Sequence, residues 1–268
     1  MVTREQLLEN SHQLAIKSLQ LFFTKIGLNS DFFEQIYQIP ISNGTVLRQN
    51  RVAEYNYYNN MIKINEKKID NIVNNINERK NAELSSTIKI ATELIHELVH
   101  AMRTTSIKDP YTGMTEKKLI SASYQIKPGE DEEYVSNRID YQISLDEIIT
   151  DALSEVIIKL KNSEESSIEN TMDSLQISSE YPTTKVGLKI INAIGEDKIE
   201  NLKWFVTAAY QENYEDLFEE TFNEEYEDLL YYANDIYTSD YCEEDLDQES
   251  IIQIEEIIDK KKEERLRK

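Results

Sequence analysis

The chain reads as an α+β protein that is predominantly α. Three observations predict this. Gly 6 and Pro 4 are low counts for 268 residues, which disfavours a plan built from many tight turns. Apolar residues recur at helical spacing through most of the sequence. One short region, 52–65, is rich in β-branched and aromatic residues and reads as a hairpin.

The elements follow in order. Glu5 to Ile26 carries Leu8, Ala15, Leu19 and Phe22 among polar residues and predicts an amphipathic helix ending near Gly27. Asp31 is placed to cap a short helix through Tyr37, which must stop before Pro40. Val52 to Tyr58 and Met61 to Asn65 read as two strands of a hairpin around Asn59-Asn60. Asn65 opens a polar helix to about Lys80. Ser85, Ser86 or Thr87 caps the next helix, in which Ile88, Ala91, Leu94, Ile95, Leu98, Val99 and Met102 occupy most of the circumference; such a helix belongs in a core.

Residues 106–142 contain Pro110, Gly113, Pro128, Gly129 and the acidic cluster Glu130 to Glu133, and read as loops with one short strand. Ser144 starts a strongly apolar helix through Leu160. The Ser- and Glu-rich stretch Asn162 to Ser174 is the candidate boundary, dividing the chain into 1–162 and a helical C-terminal subdomain, 163–268. Within the latter, Thr183 to Ile194, Lys198 to Tyr210, the Tyr- and Glu-rich run to Tyr237 and the charged tail Gln248 to Lys268 all read as helical. There is no internal repeat.

Charge narrows the partners. A formal net charge of −22 repels phosphate backbones and anionic lipid, which argues against nucleic-acid and membrane-surface roles and first of all signals solubility. The single cysteine, Cys242, allows neither an internal disulfide nor a thiolate-rich metal site. Its acidic neighbours disfavour a thiolate nucleophile. No apolar stretch approaches a membrane span, and Met1 to Asn10 lacks the pattern of a signal peptide, so the expected location is cytoplasmic, with signal-independent delivery into another cell as the other setting.

Chemistry concentrates at His96-Glu97-Leu98-Val99-His100, an H-E-x-x-H pattern on the apolar helix. Residues four apart lie one turn apart on one face, so two imidazoles can share a tetrahedral zinc while the intervening glutamate reaches an activated water. Two of the chain's 3 histidines fall in this pattern. Chance would produce it roughly once in a few hundred such chains. The bland alternative, a pair of core histidines, would bury two imidazoles without a shared partner. His12, on the first helix, reads as a surface residue.

A two-histidine zinc site needs a third protein ligand. Downstream lies Asp146-Glu147-Ile148-Ile149-Thr150-Asp151, in which Glu147 and Asp151 share a helix face. This run resembles the Asn-Glu-x-x-Ser-Asp motif of the gluzincins, the thermolysin-like zinc peptidases, with Asp146 and Thr150 as departures. The resemblance covers about a fifth of the chain. It implies a zincin-like metallopeptidase fold with a small β-sheet, Zn2+ held by His96, His100 and Glu147, Glu97 as general base, and Asp151 accepting the free ring N–H of His96. The competing reading makes Glu147 the partner of Ser144 in a capping box. Glu155 and Glu130 to Glu133 are the fallback ligands.

For the oxyanion of the tetrahedral intermediate the resemblance favours a tyrosine, Tyr141 before Tyr134 and Tyr181, each also readable as a packing residue. Arg103, one turn past His100, reads either as a cleft residue or as a salt-bridge partner. The resemblance also implies that a strand, Ala53 to Tyr58 or Met61 to Asn65, offers an edge to an extended peptide. The expected activity is cleavage of a protein substrate, by a regulator-processing peptidase or a delivered effector. The other class is a catalytically silent zincin fold used for binding. An exopeptidase is weaker, since the Gly-x-Met-Glu-Asn motif is absent, and deformylase chemistry lacks its cysteine ligand.

Overall fold

The computed structural model describes residues 1–29, 34–44, 46, 51–56, 58–78, 82–108, 115–119, 132–162, 167–179, 181–207, 214–241 and 248–267. At 105–108, 115–119, 132–136, 214–216, 240, 241 and 266 it describes the backbone only. The fold is α+β and mainly α, with one small three-stranded sheet. No described helix is long and apolar enough to cross a membrane. Two compact units divide the chain: 1–104 with 154–171, and 105–153 with 172–268. Both draw on residues from either side of position 162.

The first unit opens with α1 (Arg4–Lys25). Thr3 and Gln6 form a capping box that satisfies the first amides. Leu7, Ala15, Leu19, Phe22 and Phe23 make its buried stripe, and buried Ser11 and Ser18 return their hydroxyls to the Leu7 and Leu14 carbonyls. Gly27 ends it at φ 74, the left-handed geometry that glycine tolerates. After α2 (Glu34–Tyr37) come β1 (Ile41–Asn43), β2 (Ala53–Asn56) and β3 (Met61–Ile64), in the order β1-β3-β2. β1 runs parallel to β3, with Ile41 opposite Ile62. β2 runs antiparallel, with Tyr55 opposite Ile62. Asn60, at φ 51, supplies the left-handed residue before β3. β3 is central, so of the two strands considered for peptide pairing only β2 lies at an edge of this sheet.

α3 (Glu66–Glu78) starts at Asn65, whose side chain accepts the Lys68 N–H, as expected. α4 (Glu83–Met102) packs against α1 and β2 and is buried almost continuously from Ile90 to Met102. Its start differs from expectation. Ala82 holds the N-cap position with no side-chain cap, while Ser85 and Thr87 lie inside the helix and donate to the Ala82 and Glu83 carbonyls. A hydroxyl can satisfy a carbonyl one turn back as readily as it caps, so three adjacent hydroxyl residues do not locate the boundary.

The second unit contains β4 (Thr104–Lys108) and β5 (Thr115–Leu119), a two-stranded sheet where one strand was expected; Thr104 itself still belongs to the first unit. Next is α5 (Glu132–Asn162), 31 residues long, whose final third from Ser154 belongs to the first unit. This corrects the expected start at Ser144. That residue is buried inside the helix, and its hydroxyl donates to the Asp140 carbonyl and bonds Asn234 Oδ1. A mid-helix serine caps nothing, so the Ser144–Glu147 capping box does not exist. Pro128, Gly129, Glu130 and Asp131 lie outside the described residues, as do Asp31, Ser163 to Ser166 and Cys242.

α6 (Ile168–Ser178) occupies much of the stretch expected to be a connector, because Ile168, Met172 and Leu175 give it a buried stripe. α7 (Pro182–Ile194) has proline in its first turn and stops at Gly195. α8 (Lys198–Val206), α9 (Tyr214–Phe222), α10 (Tyr226–Tyr241) and α11 (Gln248–Leu266) complete the unit. Trp204, Phe205, Phe218, Phe222 and Tyr226 form a chain of ring contacts with centroids 5.0–6.2 Å apart. Arg138 of α5 is buried over the Tyr226 ring and pairs with Glu219 and Glu227.

α7 approaches α5 unusually closely. A Cβ at Gly187 would stand 2.5 Å from the Ile148 carbonyl oxygen and 2.7 Å from the Ala152 Cβ, so only glycine fits.

Candidate metal centre

α4 carries His96, Glu97 and His100 on its buried stretch, all three nearly inaccessible. One helical turn separates the imidazoles and brings their Nε2 atoms to 2.9 Å, with the rings close to perpendicular at 78°. At this distance one ring donates to the other if a single tautomer is chosen. The arrangement suits a cation equally, since two imidazole nitrogens on one tetrahedral zinc stand about 3.3 Å apart. Glu147, half-buried on α5, completes the group: one ligand atom from each of His96, His100 and Glu147 lies within 4.8 Å of the others. Among the described residues this group could hold a metal ion. Two neutral imidazoles and one carboxylate are a donor set that fits a divalent cation and leaves room for a fourth ligand.

Glu97 points at the sheet. Its Oε2 accepts the backbone N–H of Tyr55 on β2 at 2.6 Å. A charge-assisted bond to a buried carboxylate fixes the side chain's rotamer. Tyr55 is itself anchored, since its hydroxyl donates to Asn60 Oδ1 at 2.7 Å. Burial pushes its phenol upward, against a smaller opposing effect of a hydrogen bond with Thr104.

The remaining expected residues fall in different places. Asp151 lies half-buried one turn beyond Glu147, on the same face of α5. Tyr141 packs its ring edge-on against Tyr231 at 6.2 Å. Six residues of α-helix rotate it about 120° away from Glu147, so the two leave different sides of α5. Tyr181 is exposed ahead of α7, and the side chain of Tyr134 lies outside the described part. Arg103 is completely buried at the end of α4, where its N–H donates to the Val99 and His100 carbonyls. His12 is half-buried on α1, and desolvation lowers its imidazole's affinity for a proton.

Sequence reasoning missed Glu93. Its carboxylate accepts the Val52 N–H, one turn before Glu97 makes the corresponding contact to Tyr55. The signal was present: an acidic residue on a helix apolar around most of its circumference calls for a partner. No protein-family model, no curated protein and no solved structure matches the chain.

Proposed function

We propose that the protein is a zinc-dependent endopeptidase of gluzincin type, with a zincin-like arrangement of α4 and its three-stranded sheet. The grouping of His96, His100 and Glu147 carries the reading, because these are the residues that the sequence resemblance assigned to one metal. Zinc, when bound, supplies a Lewis acid that acidifies water and polarises a peptide carbonyl near neutral pH.

The chain's own residues divide the rest of the work. His96, His100 and Glu147 hold the cation. Glu97, next to His96, takes a proton from the attacking water as its oxygen bonds the carbonyl carbon, then returns it to the leaving amine when the C–N bond breaks. Burial of Glu97 keeps bulk water from competing with the transfer. The substrate class is a polypeptide. Asp151 serves as a carboxylate supporting the ligands from one turn along α5.

The test joins two measurements. Wild-type protein is expected to bind one zinc and cleave members of a peptide library derived from a whole proteome. Glu97→Gln is expected to keep the zinc and lose cleavage by at least about 100-fold, the scale of general-base catalysis. Equal cleavage by the variant sinks the assignment of the base.

The Tyr55–Glu97 bond favours a second reading, in which Glu97 clasps β2 in a metal-binding fold without catalysis. That reading expects zinc binding, no cleavage by wild type, and loss of stability in Glu97→Ala.

A further inference from the structure

Glu93 and Glu97 stand one turn apart on α4, so both side chains leave the same face of the helix. Both reach the segment entering and forming β2. The Glu93 carboxylate accepts the Val52 N–H, and Glu97 Oε2 accepts the Tyr55 N–H at 2.6 Å. The opposite side of the same segment belongs to the sheet: the Val52 carbonyl accepts the Asn65 N–H at 2.9 Å, and Tyr55 lies opposite Ile62. The segment is therefore tied to β3 along one side and to α4 along the other.

One bond to α4 would leave the strand a pivot at Tyr55. Two bonds, one at the bend just before β2 and one within the strand, set its angle to the helix. That angle matters to Glu97, because a donor at a carboxylate prefers to lie near the carboxylate plane. The direction of the Tyr55 N–H thus governs how the Glu97 carboxylate is turned.

The geometry points to Glu93 as a positioning residue for the base: by holding Val52 it keeps the Tyr55 amide on Oε2 of Glu97. The catalytic meaning rests on the peptidase reading; the contact itself does not. Glu93 lies outside the group formed by His96, His100 and Glu147.

The experiment is amide hydrogen exchange by NMR on the full chain, with and without added zinc, for wild type, Glu93→Ala, Glu93→Asp and Glu93→Gln. Glutamine keeps an acceptor oxygen at the same reach. Aspartate keeps the charge but is one methylene short. Loss of the Val52 contact is expected to speed exchange at Val52 and Tyr55 about tenfold in the Ala and Asp variants. Glutamine should stay near wild type. The Leu94 and Leu98 amides are expected to hold steady in all variants, which a general loss of stability would not allow, and zinc stoichiometry should not change. Wild-type protection of Tyr55 in both Ala and Asp variants overturns the proposal, and so does a Gln variant as fast as Ala. Where wild type cleaves peptides, the Ala and Asp variants should lower kcat with little change in KM; an unchanged kcat also overturns it. A wild type that takes up no zinc sinks the peptidase reading alone, since the exchange measurement still decides the contact.

Discussion

Nε2 of His96 faces Nε2 of His100 across 2.9 Å in a buried setting, and a carboxylate oxygen of Glu147 belongs to the same group. A ligand that binds only the folded chain stabilises it by mass action, by about 2.7 kcal/mol at a hundred times its Kd. Zinc is expected to raise the urea midpoint of wild type accordingly. His100→Ala should abolish the shift. Glu147→Ala should weaken zinc by more than the roughly 100-fold that marks loss of an outer-shell partner. Undiminished affinity in Glu147→Ala would remove it from the ligand set.

Gly187 sets the spacing between α7 and the helix that carries Glu147. Alanine is better than glycine in a helix by about 1 kcal/mol, so propensity alone predicts stabilisation. The contact predicts the reverse, because the new methyl would meet the backbone carbonyl of Ile148 at 2.5 Å, which cannot rotate away. Overpacking of this kind costs about 1–3 kcal/mol. Gly187→Ala is therefore expected to lower the denaturation midpoint, and to weaken zinc through displacement of α5. A stabilised variant would show that α7 yields without strain.

His96 and His100 were legible as neighbours in sequence because one helical turn contains their whole geometry. Glu147 was legible only through resemblance, and the local pattern around it misled. Ser144-x-x-Glu147 has the spacing of a capping box, yet the serine bonds back to Asp140 inside a helix already under way. The first three turns of α5 gave no apolar run to betray them. Part of their support is Arg138, whose partners Glu219 and Glu227 lie more than 80 residues away. Glu93 shows the same limit: Val52 is 41 residues upstream, and no local period relates a helix carboxylate to a distant amide. Tyr141 was proposed on its distance from Glu147 along the chain, whereas helical rotation turns it toward Tyr231.

Asn201 closes the end of α7. Its side-chain amide donates to the carbonyls of Ile191 and Gly195, both at 2.9 Å, and the residue is buried. Removing it strands acceptors at a helix C-terminus, where about 1–3 kcal/mol is at stake. Asn201→Asp is the sharper change, because a carboxylate would face both carbonyl oxygens with no hydrogen to offer. The expected order of thermal stability is wild type, then Asn201→Ala, then Asn201→Asp. An aspartate variant as stable as wild type would rule out the amide as the cap.

Glu225 links the start of α10 to the last turns of α11. Hydrogen bonds from Lys260 first and Lys261 second hold its carboxyl at about 2, against an ordinary 4.5. The folded protein binds this proton less readily than the unfolded chain does, so the contribution to stability is complete above the ordinary value. It fades as the pH falls from about 4.5 toward 2 and is gone below that. Glu225→Gln keeps the shape and an acceptor oxygen but cannot titrate. Urea denaturation of both proteins between pH 6 and pH 2 is expected to show wild type ahead at the upper end and the gap closing across that window. A gap independent of pH would mean that the carboxylate's charge contributes nothing.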